Sequence, residues 1–174
     1  MEISRKTDYA LRMISALVRS GDGVVSVRSA AEENGIPYSF ARSIQHDLAQ
    51  NGIVESVRGA HGGMRLAVDP KTTSLLQIVE AVQGPVIIAT CDYAGPDGSA
   101  CPFKPQCRFN PVWCNAERML HEYFSSVTLY QIVVDGLMPR MTGGFELVNS
   151  REVQAQEVAS AKDDEAPVDD AQAV

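Results

Sequence analysis

No apolar run in this chain of 174 residues approaches the roughly 18 residues that a membrane span needs. The opening MEISRKTDYA also lacks the apolar region of a signal peptide. A cytoplasmic protein with no membrane partner is therefore expected. Histidine is scarce: the three present, His46, His61 and His121, fall on separate predicted elements, so no Ser/His/Asp set forms. The glycines of 59–63 lack the strand–helix context of a nucleotide-binding loop. Both absences argue against an enzyme. There are no internal repeats. Cysteine is confined to one place, with all four residues between positions 91 and 114.

What is present begins with a 45% apolar fraction, enough for a real core, and a length that fits one ordinary domain plus a tail. Net charge is −7, which taken whole argues against a nucleic-acid partner. The distribution reverses that reading. Residues 1–68 carry eight Lys/Arg against seven Asp/Glu, or +1; 69–136 carry four against seven, or −3; 137–174 carry three against eight, or −5. The acidity lies at the far end, so whole-chain charge says little about what the first half binds.

Helical spacing of Ala10, Leu11, Ile14, Leu17 and Val18 predicts an amphipathic helix from Ser4 to Arg19, stopped at 20–23. Ser26 caps a second helix over 27–34, ended by Gly35. Pro37 opens a third, with Phe40, Ile44 and Leu48 on its apolar face and Asn51-Gly52 as its end. Two short strand-like runs, 53–57 and 64–68, then flank a glycine-rich tip. Ser74 and Gln77 form a capping-box pattern opening a helix over 75–82. Beyond the cysteines, Trp113, Ala116, Leu120, Tyr123, Phe124 and Val127 form a second apolar stripe, longer than one domain face needs and suited to a dimer interface. Thr128 and Gln131 repeat the capping box before Gly136. The predicted fold is mainly α with a small β-hairpin wing. A winged helix-turn-helix over 1–84 precedes a cysteine loop at 85–114. A dimerisation helix and short final helix occupy 115–136, and an acidic, disordered tail fills 137–174.

In a winged helix-turn-helix the third helix enters a DNA major groove. Tyr38, Ser39, Arg42 and Gln45 or His46 project away from its apolar face, and Arg and Gln each make bidentate contacts to base edges. Arg58, His61 and Arg65 around Gly59, Gly62 and Gly63 suit a wing that approaches phosphates or a narrow minor groove. The plainer alternative is a solvated helix face and a flexible hairpin. The order of helices and wing favours double-stranded DNA.

Cys91, Cys101, Cys107 and Cys114 are separated by nine, five and six residues in a Gly- and Pro-rich stretch. In a reducing cytosol clustered thiols point to metal or redox chemistry rather than structural disulfides. Thiolates hold soft metals and iron–sulfur clusters. A structural zinc site remains an alternative, although zinc favours pairs separated by about two to four residues. A disulfide switch without metal is another.

Four segments carry a family likeness: Thr7-Asp-Tyr-Ala-Leu-Arg12, Val57-Arg-Gly-Ala-His-Gly-Gly-Met-Arg-Leu66, Leu76-Gln-Ile-Val-Glu-Ala-Val82 and Val127-Thr-Leu-Tyr-Gln-Ile-Val133. In this order, with a cysteine loop before the long helix, the chain over about 1–136 resembles the Rrf-type iron–sulfur winged-helix transcription regulators. The resemblance implies a homodimeric repressor that binds a palindromic operator under control of a [4Fe-4S] or [2Fe-2S] cluster and senses nitric oxide, iron or redox state. Cys91, Cys101 and Cys107 match the ligand trio, though the first gap is longer than the family's. Where the IscR-like branch has a histidine ligand, this chain has Asn110. Asp8 matches the NsrR-like branch, in which this aspartate reaches across the dimer; otherwise it is an acid in a helix's first turn. Cys114 departs from the pattern. It is either a small buried residue beside Trp113 or a fourth thiolate ligand.

Overall fold

Ser4, Ser26, Ser74 and Thr128 each begin a helix by accepting a hydrogen bond from a backbone N–H of the first turn. Ser74 with Gln77 and Thr128 with Gln131 form complete capping boxes, as the sequence predicts. The computed structural model describes residues 2–21, 23–59, 62–89, 101–141 and 145–149. Its elements run α1 (Arg5–Ser20), α2 (Val27–Glu33), α3 (Tyr38–Gln50), β1 (Val54–Val57), β2 (Gly63–Leu66) and α4 (Leu75–Gln83). They continue with α5 (Asn110–Ser125), α6 (Leu129–Val133), β3 (Leu137–Met141) and β4 (Phe145–Asn149). The winged-helix order is present, and no helix among the described residues is long and apolar enough to cross a membrane.

The core gathers around α1, whose Ala10, Met13, Ile14 and Leu17 are sealed against Ile44 and Leu48 of α3, Met64 of β2 and Ile78 of α4. Lys6 of α1 pairs with Asp47 of α3. Thr7, fully buried, donates its hydroxyl to Gln83 Oε1 at 2.7 Å and so ties α1 to the last residue of α4. On α3 the expected apolar face is corrected. Phe40 is 44% exposed and packs edge-on against Tyr9, while Ala41 and Gln45 join Ile44 and Leu48 in the buried set. The true inward stripe runs i, i+3, i+4, i+7, and Phe40 falls outside it.

The wing pairs Val54 with Leu66 and Val57 with Gly63. Val25 adds a third edge: it and Met64 exchange both backbone hydrogen bonds at 2.9 Å. This close approach explains Gly63, where a Cβ would lie 2.3 Å from the Val25 carbonyl oxygen. Gly63→Ala should therefore push the wing off Val25 at a cost of about 1–3 kcal/mol. Thermal unfolding checks this, and an unchanged midpoint would mean the wing yields without strain.

The tail expected to be disordered from 137 instead begins with a hairpin, Leu137 opposite Asn149 and Met141 opposite Phe145. Tyr123 of α5 donates its hydroxyl to the Pro139 carbonyl at 2.8 Å, anchoring β3. The charge that marks the tail lies mostly in 150–174, outside the described residues.

Candidate nucleic-acid interface and cysteine site

The start of α2, the first two turns of α3 and the wing enclose a groove of about 630 Å³. Tyr38, Arg42 and Gln45 line it from α3, and Arg58, Gly59, Gly62 and Gly63 line it from the wing. Seven of the residues expected to read DNA thus meet on one concave surface. α2 contributes Ser26 and Arg28. Arg28, which sequence reasoning missed, stacks its guanidinium over the Tyr38 ring at 5.0 Å. Its only sequence signal was its place two residues after a helix cap. Three guanidinium groups around one groove suit phosphate, since arginine offers a fork of donors matched to its oxygens.

Three other expected readers stand differently. Ser39 is exposed but does not line the groove. Arg65 pairs with Glu55 directly opposite it in the hairpin, on the face away from Ser56, because successive strand residues alternate sides. His61 lies outside the described residues. Gln45, expected to project outward, is 8% exposed. It accepts from Arg42 Nη1 at 2.9 Å and donates to Ser56 Oγ at 3.1 Å. The wing glycines also have an inward reason. A Cβ on Gly62 would lie 2.5 Å from the Val57 carbonyl oxygen, and Gly59 adopts φ +123°.

In the cysteine segment, Cys101 and Cys107 are both half-buried and flank a single 3₁₀ turn, Lys104–Gln106. Lys104 N–H donates to the Cys101 carbonyl at 3.1 Å, and Cys107 N–H to the Lys104 carbonyl at 3.2 Å. Cys91 lies outside the described residues. Cys114 stands within α5 beside Trp113, in the part of the expected 85–114 loop that is helical, and it is exposed in the single chain rather than buried. Asp8 is about half exposed and pairs with Arg12, one turn on, at 2.7 Å. Asn110 opens α5, and its Nδ2 is buried without a hydrogen-bond partner among the described residues. Among the described residues no three His, Cys, Asp or Glu side chains converge. The start of the segment is fastened to α5: Ile88 N–H donates to Glu117 Oε2 at 3.0 Å, and His121 Nε2 donates to the Val86 carbonyl at 3.0 Å.

α5 buries no residue within the chain. Val112, Trp113 and Met119 are exposed, and an apolar cleft of about 390 Å³ is lined by Ile88, Ala116, Met119, Leu120 and Tyr123.

A family model described as Rrf2, iron-dependent transcriptional regulator, matches residues 3–135. The HTH-type transcriptional repressor NsrR of Streptomyces coelicolor is 28% identical over 145 residues, 82% of this chain and 95% of that protein. IscR of T. potens superposes with a TM-score of 0.61 at 25% identity, covering 78% of this chain and 88% of that one. CymR, the global cysteine regulator of B. subtilis, superposes with a TM-score of 0.60 at 25% identity over 76% of this chain and 96% of that one.

Proposed function

The chain belongs to the Rrf2 family of transcriptional regulators, and on that footing we propose that it is a cytoplasmic, homodimeric, iron–sulfur-dependent repressor. It binds a palindromic operator through the groove between α3 and the wing. The observation that carries the cluster reading is the pair of half-buried thiols at Cys101 and Cys107, followed three residues later by Asn110, whose buried amide nitrogen has no hydrogen-bond partner among the described residues. A buried donor without a partner costs about 1–3 kcal/mol. Thiolates suit the charge of such a cluster, and a thiolate or sulfide sulfur brought to that amide would accept its hydrogen bond. Cys91, Cys101 and Cys107 would hold a [4Fe-4S] or [2Fe-2S] cluster, with Asp8 of the partner subunit as a candidate fourth ligand and Cys114 as the competing one. When bound, the cluster supplies sensitivity to nitric oxide, iron supply or redox state.

The chain's own residues supply the route from that segment to DNA. Glu117 and His121 hold the start of the segment on α5, and Gln83 at the end of α4 holds α1 through Thr7. Ordering the segment therefore bears on both the dimerisation helix and the helix that backs α3. The two recognition helices must match half-sites about 34 Å apart. A change in how α4 and α5 sit is a change in that spacing, and hence in operator affinity.

Anaerobic purification of wild type, Asp8→Ala and Cys114→Ala, with visible spectroscopy, iron and sulfide analysis and native mass spectrometry, tests the reading. A coloured dimer that loses its cluster in Asp8→Ala supports it as drawn. Colourless protein with stoichiometric zinc would sink it. A second reading, a thiol-switched regulator without a cluster, is left open by the likeness to CymR; colourless, metal-free protein with intact DNA binding would select it.

A further inference from the structure

Gln45 occupies an unusual place for a polar residue on a recognition helix. Its side chain is packed among the core residues of α3, at 8% exposure, yet it lines the groove with its amide. Both ends of that amide are used: Oε1 accepts from Arg42 and Nε2 donates to Ser56 of β1. Ser56 in turn sits opposite Met64, which is fully buried and whose backbone is bonded to Val25. Arg42 on one side and the wing on the other are therefore joined through a single buried amide.

We infer that Gln45 is not a base reader but the positioning residue for Arg42, and that it couples the recognition helix to the wing. This inference rests on the DNA-binding reading of the groove. The physical argument is one of preorganisation. Arginine reads guanine through a planar fork, so its guanidinium must hold one orientation. Immobilising a long side chain at an interface costs entropy, and a side chain already held loses less. One N–H of Arg42 goes to Gln45, which leaves the remaining donors for a base edge or a phosphate. Because the same amide grips Ser56, a displacement of the wing also displaces Arg42. Bases read by α3 and backbone read by the wing are then read together.

The test uses full-length, anaerobically purified protein and a library of randomised DNA duplexes. The bound consensus is recovered for wild type, and affinities for it and its single-base-pair variants are measured at several salt concentrations. Arg42→Ala identifies the base pair that Arg42 reads and lowers the salt slope by about one. Gln45→Leu keeps the core packing and removes both hydrogen bonds. It is expected to lose about tenfold in discrimination at that same base pair with the salt slope unchanged. Ser56→Ala, at an exposed position, is expected to give a smaller loss at the same place. Gln45→Leu weakening all duplexes evenly, or leaving discrimination intact, overturns the inference. If Gln45→Leu unfolds, Ser56→Ala decides alone: a loss at the Arg42 base pair supports the coupling, and none overturns it. Failure of wild type to select any consensus, with Arg42→Ala and Arg58→Ala without effect, overturns the DNA reading itself.

Discussion

Cys101→Ala is expected to yield folded, colourless protein whose operator affinity differs from wild type by about 5–150-fold, the span of a typical coupling between two sites. Cys101 fixes one end of the 3₁₀ turn and Cys107 the other. A cluster held by both would pin a segment whose described hydrogen bonds within this stretch are few and local. Removing one thiolate leaves the backbone contacts of Lys104 untouched, so helix content and unfolding temperature should change little while the cofactor is lost. Cys107→Ala should behave alike. Cys114→Ala should keep its colour, because Cys114 stands on α5 beyond the segment. The measurements are visible absorbance, iron content and duplex affinity across a salt series. Unchanged salt-dependent affinity in a colourless Cys101→Ala would break the coupling between cluster and operator. A Cys101→Ala protein that keeps its colour would remove Cys101 from the ligand set.

The elements whose cause is local were legible in the sequence. Ser26, Ser74 and Thr128 announce their helices because a capping side chain needs only its own first turn. The hairpin of the wing was legible for the same reason, as two β-prone runs around glycines. What failed was partner choice. Phe40 looks like core by residue type, but burial on α3 is decided by which side faces α1, and there the small Ala41 fits. Gln45 looks like a surface reader, yet Ser56, eleven positions on, gives its inward-packed amide a hydrogen-bond partner. Arg28 went unremarked because nothing local says that α2 opens onto the groove. The β3–β4 hairpin was hidden by a charge average taken over the whole tail.

Met119→Asp should convert the protein to a monomer and weaken operator binding by about 100-fold or more. α5 presents its apolar residues on one side: Val112, Trp113, Ala116, Met119, Leu120 and Tyr123 follow helical spacing along 16 residues, about 24 Å of axis. None of α5 is buried within the chain, although Glu117 and His121 on its flank hold the Ile88 and Val86 backbone and Ile88 lines one edge of the apolar cleft. In the proposed dimer the apolar side is covered by a second copy, and a two-fold dimer would match a two-fold operator. Met119 is 39% exposed and lines the apolar cleft, so an aspartate there stays solvated in the monomer and disturbs its core little. In a closed interface the same carboxylate would lose its water without a partner, a cost of several kcal/mol. Once the subunits separate, each half-site is bound alone and the effective concentration that linkage supplies, worth about 10²–10⁴ in avidity, disappears. Sedimentation and duplex affinity measure the two effects separately, and the salt slope should fall by about half as half the phosphate contacts are lost. A Met119→Asp protein that remains dimeric with wild-type affinity would place the interface elsewhere. A monomer that still binds the full operator as wild type does would mean that pairing of the subunits is not what fixes the spacing of the recognition helices.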